Sequence, residues 1–106
     1  MSLPNEKNVL PLAGEIDLNV SPRISSTINE MICKKPRRLV VDLSRVTYID
    51  SSGLAVLIRA MQDVEDYGGK FALAGLDETV RSIFETARID QVFVMYPHVD
   101  AALAAD

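Results

Sequence analysis

Val46-Thr47-Tyr48-Ile49-Asp50-Ser51-Ser52-Gly53-Leu54 is the stretch in which one periodicity gives way to another. Before it the apolar residues come in short β-like runs. After it they recur as Leu54, Leu57, Ile58, Met61 and Val64, the spacing of one helix face. Asp50, Ser51 and Ser52 therefore fall at a strand-to-helix junction, where a short oxygen-bearing side chain can accept from the free N–H groups of the first turn. The same N–H groups and the positive helix end also suit an anion such as phosphate. A plain helix cap is one reading of these residues. No Glu or Gln follows Asp50 or Ser51 at the third position, so there is no capping box. Gly53 sits in the first turn at a cost of up to about 1 kcal/mol relative to Ala, and reads as room for close approach to the backbone.

Working toward the N-terminus, residues 39–43 (Leu-Val-Val-Asp-Leu) form a strand whose uninterrupted apolar start implies burial on both faces. Ser44-Arg45 is expected to break it. Upstream, Ser21 as cap and Pro22 at the first helical position open a helix. Val20, Ile24, Ile28, Met31 and Ile32 keep helical spacing up to the stop at Pro36. Ala13-Gly14-Glu15-Ile16-Asp17 reads as a turn or strand end with two exposed carboxylates. Val9-Leu10-Pro11-Leu12 is a short apolar run, and Pro11 restricts any strand there to an edge or a bulge. Residues 1–8 are polar and are expected to form a flexible tail, leaving 9–106 as a single domain.

Toward the C-terminus, the helix beginning at Ser52 closes at Tyr67-Gly68-Gly69. Residues 70–74 form a strand. Asp77 caps a helix with Val80, Ile83, Phe84 and Ala87 on one face, residues 92–96 form a strand ended by Pro97, and the alanine-rich residues 99–105 form a short final helix. Strands alternating with helices predict an α/β fold, with a mixed, mainly parallel sheet of four to five strands. The helices should lie mostly on one face.

Composition narrows the function. The chain has 106 residues, enough for one core, and its apolar fraction of 48% is that of a globular protein. Acidic residues outnumber basic ones, 15 to 11, which disfavours direct nucleic-acid binding. Lys34-Lys35-Pro36-Arg37-Arg38 is read as cations at a helix exit, where they complement the dipole. No apolar run approaches the roughly 20 residues of a membrane span, and no secretory signal is evident, so no membrane insertion and a cytoplasmic location are expected. The single cysteine, Cys33, offers neither an internal disulfide nor a cysteine metal site. A nucleophile elbow needs glycine at position 49 or 50, which hold Ile49 and Asp50, and His98 is the only histidine to serve as a base. No phosphate-binding glycine loop and no metal motif is present. The chain is not expected to be an enzyme, to hold a metal or to carry a cofactor.

Gly14-Glu15-Ile16-Asp17, residues 39–43, Tyr48-Ile49-Asp50-Ser51-Ser52-Gly53-Leu54 and Gly68-Gly69 before a strand together resemble the STAS domain, the module of anti-sigma factor antagonists and of sulfate transporter tails. The resemblance covers nearly the whole chain from Val9, and its I-D-S-S-G-L piece is the specific one. It implies a stand-alone anti-sigma factor antagonist with a STAS-like sheet, phosphorylated on the serine after the aspartate. That places the phosphate on Ser51, with Ser52 as the second choice. The implied partners are an anti-sigma factor that is itself a serine kinase using ATP, and a serine phosphatase. Glu15 and Asp17, together with Asp50, Ser51, Ser52 and Gly53, are implied in partner binding. The other reading of the resemblance is a scaffold subunit of a lipid or anion transport complex, or of a stressosome.

Overall fold

The computed structural model describes residues 7–105. Among them the elements run β1 (Lys7–Ile16), α1 (Ser21–Cys33), β2 (Arg38–Ile49), α2 (Ser51–Asp66), β3 (Lys70–Ala74), α3 (Glu78–Thr86), β4 (Val94–Tyr96) and α4 (Val99–Ala104). The four strands form one sheet in the order β1-β2-β3-β4, every neighbouring pair parallel. Each crossover therefore steps in the same direction. Right-handed connections then deliver α1, α2 and α3 to the same face.

The packing follows that rule. Leu39, Val41, Leu43, Phe71 and Leu73 point to the three-helix face, where they meet Ile28, Leu57, Val64, Val80 and Phe84. Val40 and Ala74 alternate to the other face, which α4 covers with Ala102, Val99 and Leu103. Leu39, Val40 and Val41 are all fully buried, as a run apolar on both faces requires. Arg38 is buried too, and its Nη1 donates to the Ala102 carbonyl near the end of α4. At least this cation of the basic run thus serves α4 rather than the exit of α1.

Several boundaries differ from the sequence expectation. β1 starts at Lys7, so Lys7 and Asn8 belong to the sheet, while residues 1–6 of the expected tail lie outside the described residues. Ser21 is not the cap of α1: Val20 holds the N-cap position, without a side-chain hydrogen bond, and Ser21 is buried. Ser44-Arg45 does not break β2. The Ser44 N–H turns to the Asp42 carboxylate at 3.0 Å, the register with β1 slips between Pro11 and Ala13, and the strand resumes to Ile49. Pro11 sits beside that slip on β1, the edge strand among the described residues, the kind of position in which a proline is tolerated. β4 retains only three of the five residues expected, with the chain from 89 to 92 spent on turns.

Candidate functional site

The parallel pairing of β1 with β2 sets Glu15 beside Tyr48 and Ile16 beside Ile49. Both strands end there, and the Asp50 N–H donates to the Ile16 carbonyl at 3.0 Å. Asp17 and Asp50 thus leave neighbouring strand ends side by side. The two sequence stretches singled out, residues 14–17 and 50–53, converge on one edge of the domain, at the N-terminus of α2.

Asp50 is the N-cap of α2. Its Oδ1 accepts from the Ser52 N–H at 2.9 Å, the Gly53 N–H at 3.1 Å and the Ser52 hydroxyl at 2.6 Å. The Leu18 N–H also bonds to the carboxylate, tying in the loop that follows β1. These donors hold the Asp50 carboxyl below its ordinary value, the Ser52 hydroxyl contributing most and the Gly53 N–H next. The anion at this helix start is therefore the chain's own carboxylate.

Ser51 and Ser52 have opposite situations. Ser52 is half-buried with its hydroxyl committed to Asp50. Ser51, the first residue of α2, is exposed, and its hydroxyl has no partner among the described residues. Successive helix positions are rotated by about 100°, so one serine turns back to the cap while the next looks outward.

Gly53 is buried, and what approaches it is the protein itself. A Cβ there would meet Ile49 Cγ2 at 2.7 Å, Ile16 Cγ2 at 2.8 Å and the Ile16 carbonyl at 3.2 Å. The room inferred from sequence is filled by the two strand ends. Glu15 is exposed, and Asp17 is half-buried with its carboxylate accepting the Asn19 N–H at 2.9 Å. Sequence reading passed over Leu18 and Tyr48, which are 71% and 47% exposed and flank the same edge. For Leu18 the available signal was an apolar residue in the polar turn directly after the G-E-x-D stretch. From Tyr48 a shallow groove of about 390 Å³ runs past Asp50, Ser51 and Leu54 to Ser82, Ile83, Thr86 and Ala87 of α3. Its lining holds no Lys, Arg or His.

Elsewhere, His98 is exposed and its Nδ1 accepts the Ala101 N–H at 3.1 Å, capping α4. Among the described residues no group of three or more His, Cys, Asp or Glu is placed to hold a metal ion, and no helix is long and apolar enough to cross a membrane.

Known proteins resemble this chain in sequence and in fold. The STAS domain profile matches residues 3–102. The anti-sigma-F factor antagonist RsfB of Mycobacterium tuberculosis is 28% identical over 95 residues, which span 90% of this chain and 77% of RsfB. The anti-sigma-B factor antagonist of Listeria monocytogenes is 28% identical over 81 residues, 76% of this chain and 71% of the relative. The crystal structure of an anti-sigma factor antagonist from Mycobacterium paratuberculosis superimposes with a TM-score of 0.84 at 27% identity, covering 96% of this chain and 86% of that one. With its four parallel strands, its helix arrangement and a profile match along nearly its whole length, the chain belongs to the STAS domain family.

Proposed function

We propose that this protein is an anti-sigma factor antagonist, a cytoplasmic binding module that sequesters an anti-sigma factor and is switched by phosphorylation of Ser51. The relatives named above support the class. The observation that carries the switch is the contrast between the free, exposed Ser51 hydroxyl and the committed Ser52 hydroxyl. The partner in this reading is an anti-sigma factor with serine kinase activity. It holds ATP, and the Ser51 Oγ attacks the γ-phosphorus; the new O–P bond replaces the bond to ADP, and the hydroxyl proton passes to a base of the kinase. This chain supplies the acceptor and no cofactor. A serine phosphatase returns the hydroxyl by hydrolysis: water takes the phosphoryl group, which leaves as inorganic phosphate, and the Ser51 oxygen regains a proton.

The switch works by charge. Phosphorylation adds about 1.5 to 2 negative charges at pH 7 beside Asp50 and near Asp17. A partner surface fitted to a neutral hydroxyl, with Glu15, Asp17 and the half-exposed Tyr48 around it, then meets repulsion and a desolvation cost without any refolding of this domain. Intact mass of the protein recovered from its host tests the site. A phosphate increment present in the wild type and absent from Ser51→Ala is expected. No increment under any growth condition defeats the reading and favours a scaffold subunit of a transport complex or stressosome. Titration calorimetry against the captured partner adds the second arm: Ser51→Ala retains binding and Ser51→Asp weakens it.

A further inference from the structure

The start of a helix ordinarily draws a nearby phosphate onto its free N–H groups. Here two of those groups are taken. The N–H groups of Ser52 and Gly53, with the Ser52 hydroxyl, all converge on Asp50 Oδ1, and the Leu18 N–H reaches the same carboxylate. We propose that Asp50 is a positioning residue for the switch: by occupying the helix-end donors it keeps the phosphate on Ser51 out of the helix terminus, projecting into solvent as a mobile dianion. The inference rests on Ser51 being the phosphorylated residue.

The groove beside Ser51 offers the phosphate no cationic anchor. The groove beside Ser51 presents the Tyr48, Ser82 and Thr86 hydroxyls and the Asp50 carboxylate, without a cationic side chain. The adjoining end of β1 adds the carboxylate of Asp17. The groups facing the phosphate are thus the carboxylates of Asp17 and Asp50 at the end of β1 and the start of α2, and the hydroxyls of Tyr48 on β2 and of Ser82 and Thr86 on α3. An outward phosphate has a purpose in a reversible switch. It is presented whole to the partner it must repel and to the phosphatase that must remove it. A phosphate folded onto the amides would be partly neutralised and shielded from both.

The test uses full-length protein carrying phosphoserine at position 51, installed during translation, so that its outcome does not depend on whether the host phosphorylates Ser51. Phosphorus NMR reads the second pKa of the phosphate, and amide NMR follows the Ser52 and Gly53 protons through the same titration. In the wild type the pKa should lie at or above the ordinary value of about 6, with the two amides indifferent to the phosphate. In Asp50→Ala the amides are released: they should move downfield and titrate with the phosphate, whose pKa should drop by roughly one unit. Asp50→Asn keeps an oxygen on the amides and removes the charge, so there the pKa should fall while the amides stay indifferent. This variant covers the case in which Asp50→Ala does not fold. Amides that titrate strongly with the phosphate in the wild type or in Asp50→Asn overturn the proposal, as does a pKa unmoved by either substitution. Absence of phosphate on the host protein overturns the Ser51 reading instead, so the two failures are separable.

Discussion

Gly53→Ala sets two effects against each other, and the structure decides the sign. An alanine in the first turn of α2 gains up to about 1 kcal/mol of helix propensity over glycine. Its Cβ, however, would lie 2.7 Å from Ile49 Cγ2 and 2.8 Å from Ile16 Cγ2, well inside the ordinary carbon–carbon contact of about 3.5 Å. Neither methyl belongs to a side chain with space to retreat, since Ile16 is 3% exposed and Ile49 is 1% exposed. The third contact, 3.2 Å to the Ile16 carbonyl, is to backbone, and that carbonyl also accepts the Asp50 N–H. Overpacking costs about 1–3 kcal/mol, and three contacts this short, one of them to backbone, put this case at about 2–3 kcal/mol, so the net loss should be about 1–2 kcal/mol. For a domain of this size each kcal/mol moves the melting temperature by about 4–8 °C. Thermal and urea melts followed by far-UV circular dichroism should therefore show a midpoint lower by about 5 °C or more. A variant that melts at or above the wild-type temperature, yet binds its partner poorly, would refute the packing argument and return the space at Gly53 to a ligand.

Two further expectations follow from the core and the cap. Phe84 is fully buried and meets Phe93 edge-on at 5.6 Å between ring centroids; Phe84→Ala should cost about 3–5 kcal/mol in urea unfolding, and a loss under 1 kcal/mol would contradict the described packing of α3. The Asp50 carboxyl titrates below its ordinary value of 3.8, chiefly through the Ser52 hydroxyl. A folded-state value below the unfolded one means its contribution to stability is present above about pH 4 and is lost as pH falls through the folded value. Urea midpoints measured from pH 5 downward should then fall more steeply for wild type than for Asp50→Asn; parallel lines would remove Asp50 from the acid response.

Much of this architecture was legible because its signals are local. The Tyr67-Gly68-Gly69 stop, the strand over 70–74 and the Asp77 cap depend on residues adjacent in sequence, and the structure reproduces all three. β2 misled because Ser44-Arg45 looks like punctuation. Whether a strand stops or merely bulges there depends on β1 slipping its register alongside, a partner more than 25 residues away. Gly53 misled for the same reason: its neighbours include Ile16, which no local window contains. The choice between Ser51 and Ser52 turns on a rotation of one helix position, to which composition is blind. The bond from Ser52 Oγ to Asp50 and the greater exposure of Ser51 distinguish them. Val20 displaced Ser21 as the α1 cap because the Asp17 carbonyl takes the Val20 and Ser21 N–H groups at 3.1 and 2.9 Å, turning the chain before any hydroxyl is needed.

Among the described residues β1 is an edge strand, held to the sheet on one side only. Opening free energies within a protein are graded, and peripheral elements open without the rest. Peeling β1 from β2 would release Glu15, Asp17 and the Leu18 loop together, while α2 stayed docked on β2 and β3. The Asp50 amide, bonded to the Ile16 carbonyl, is the latch of that motion. Its hydrogen-exchange rate would report how often the paired ends of β1 and β2 come apart while the core stays closed. A partner gripping both strand ends would slow that exchange, and binding would be felt as a local tightening of the fold.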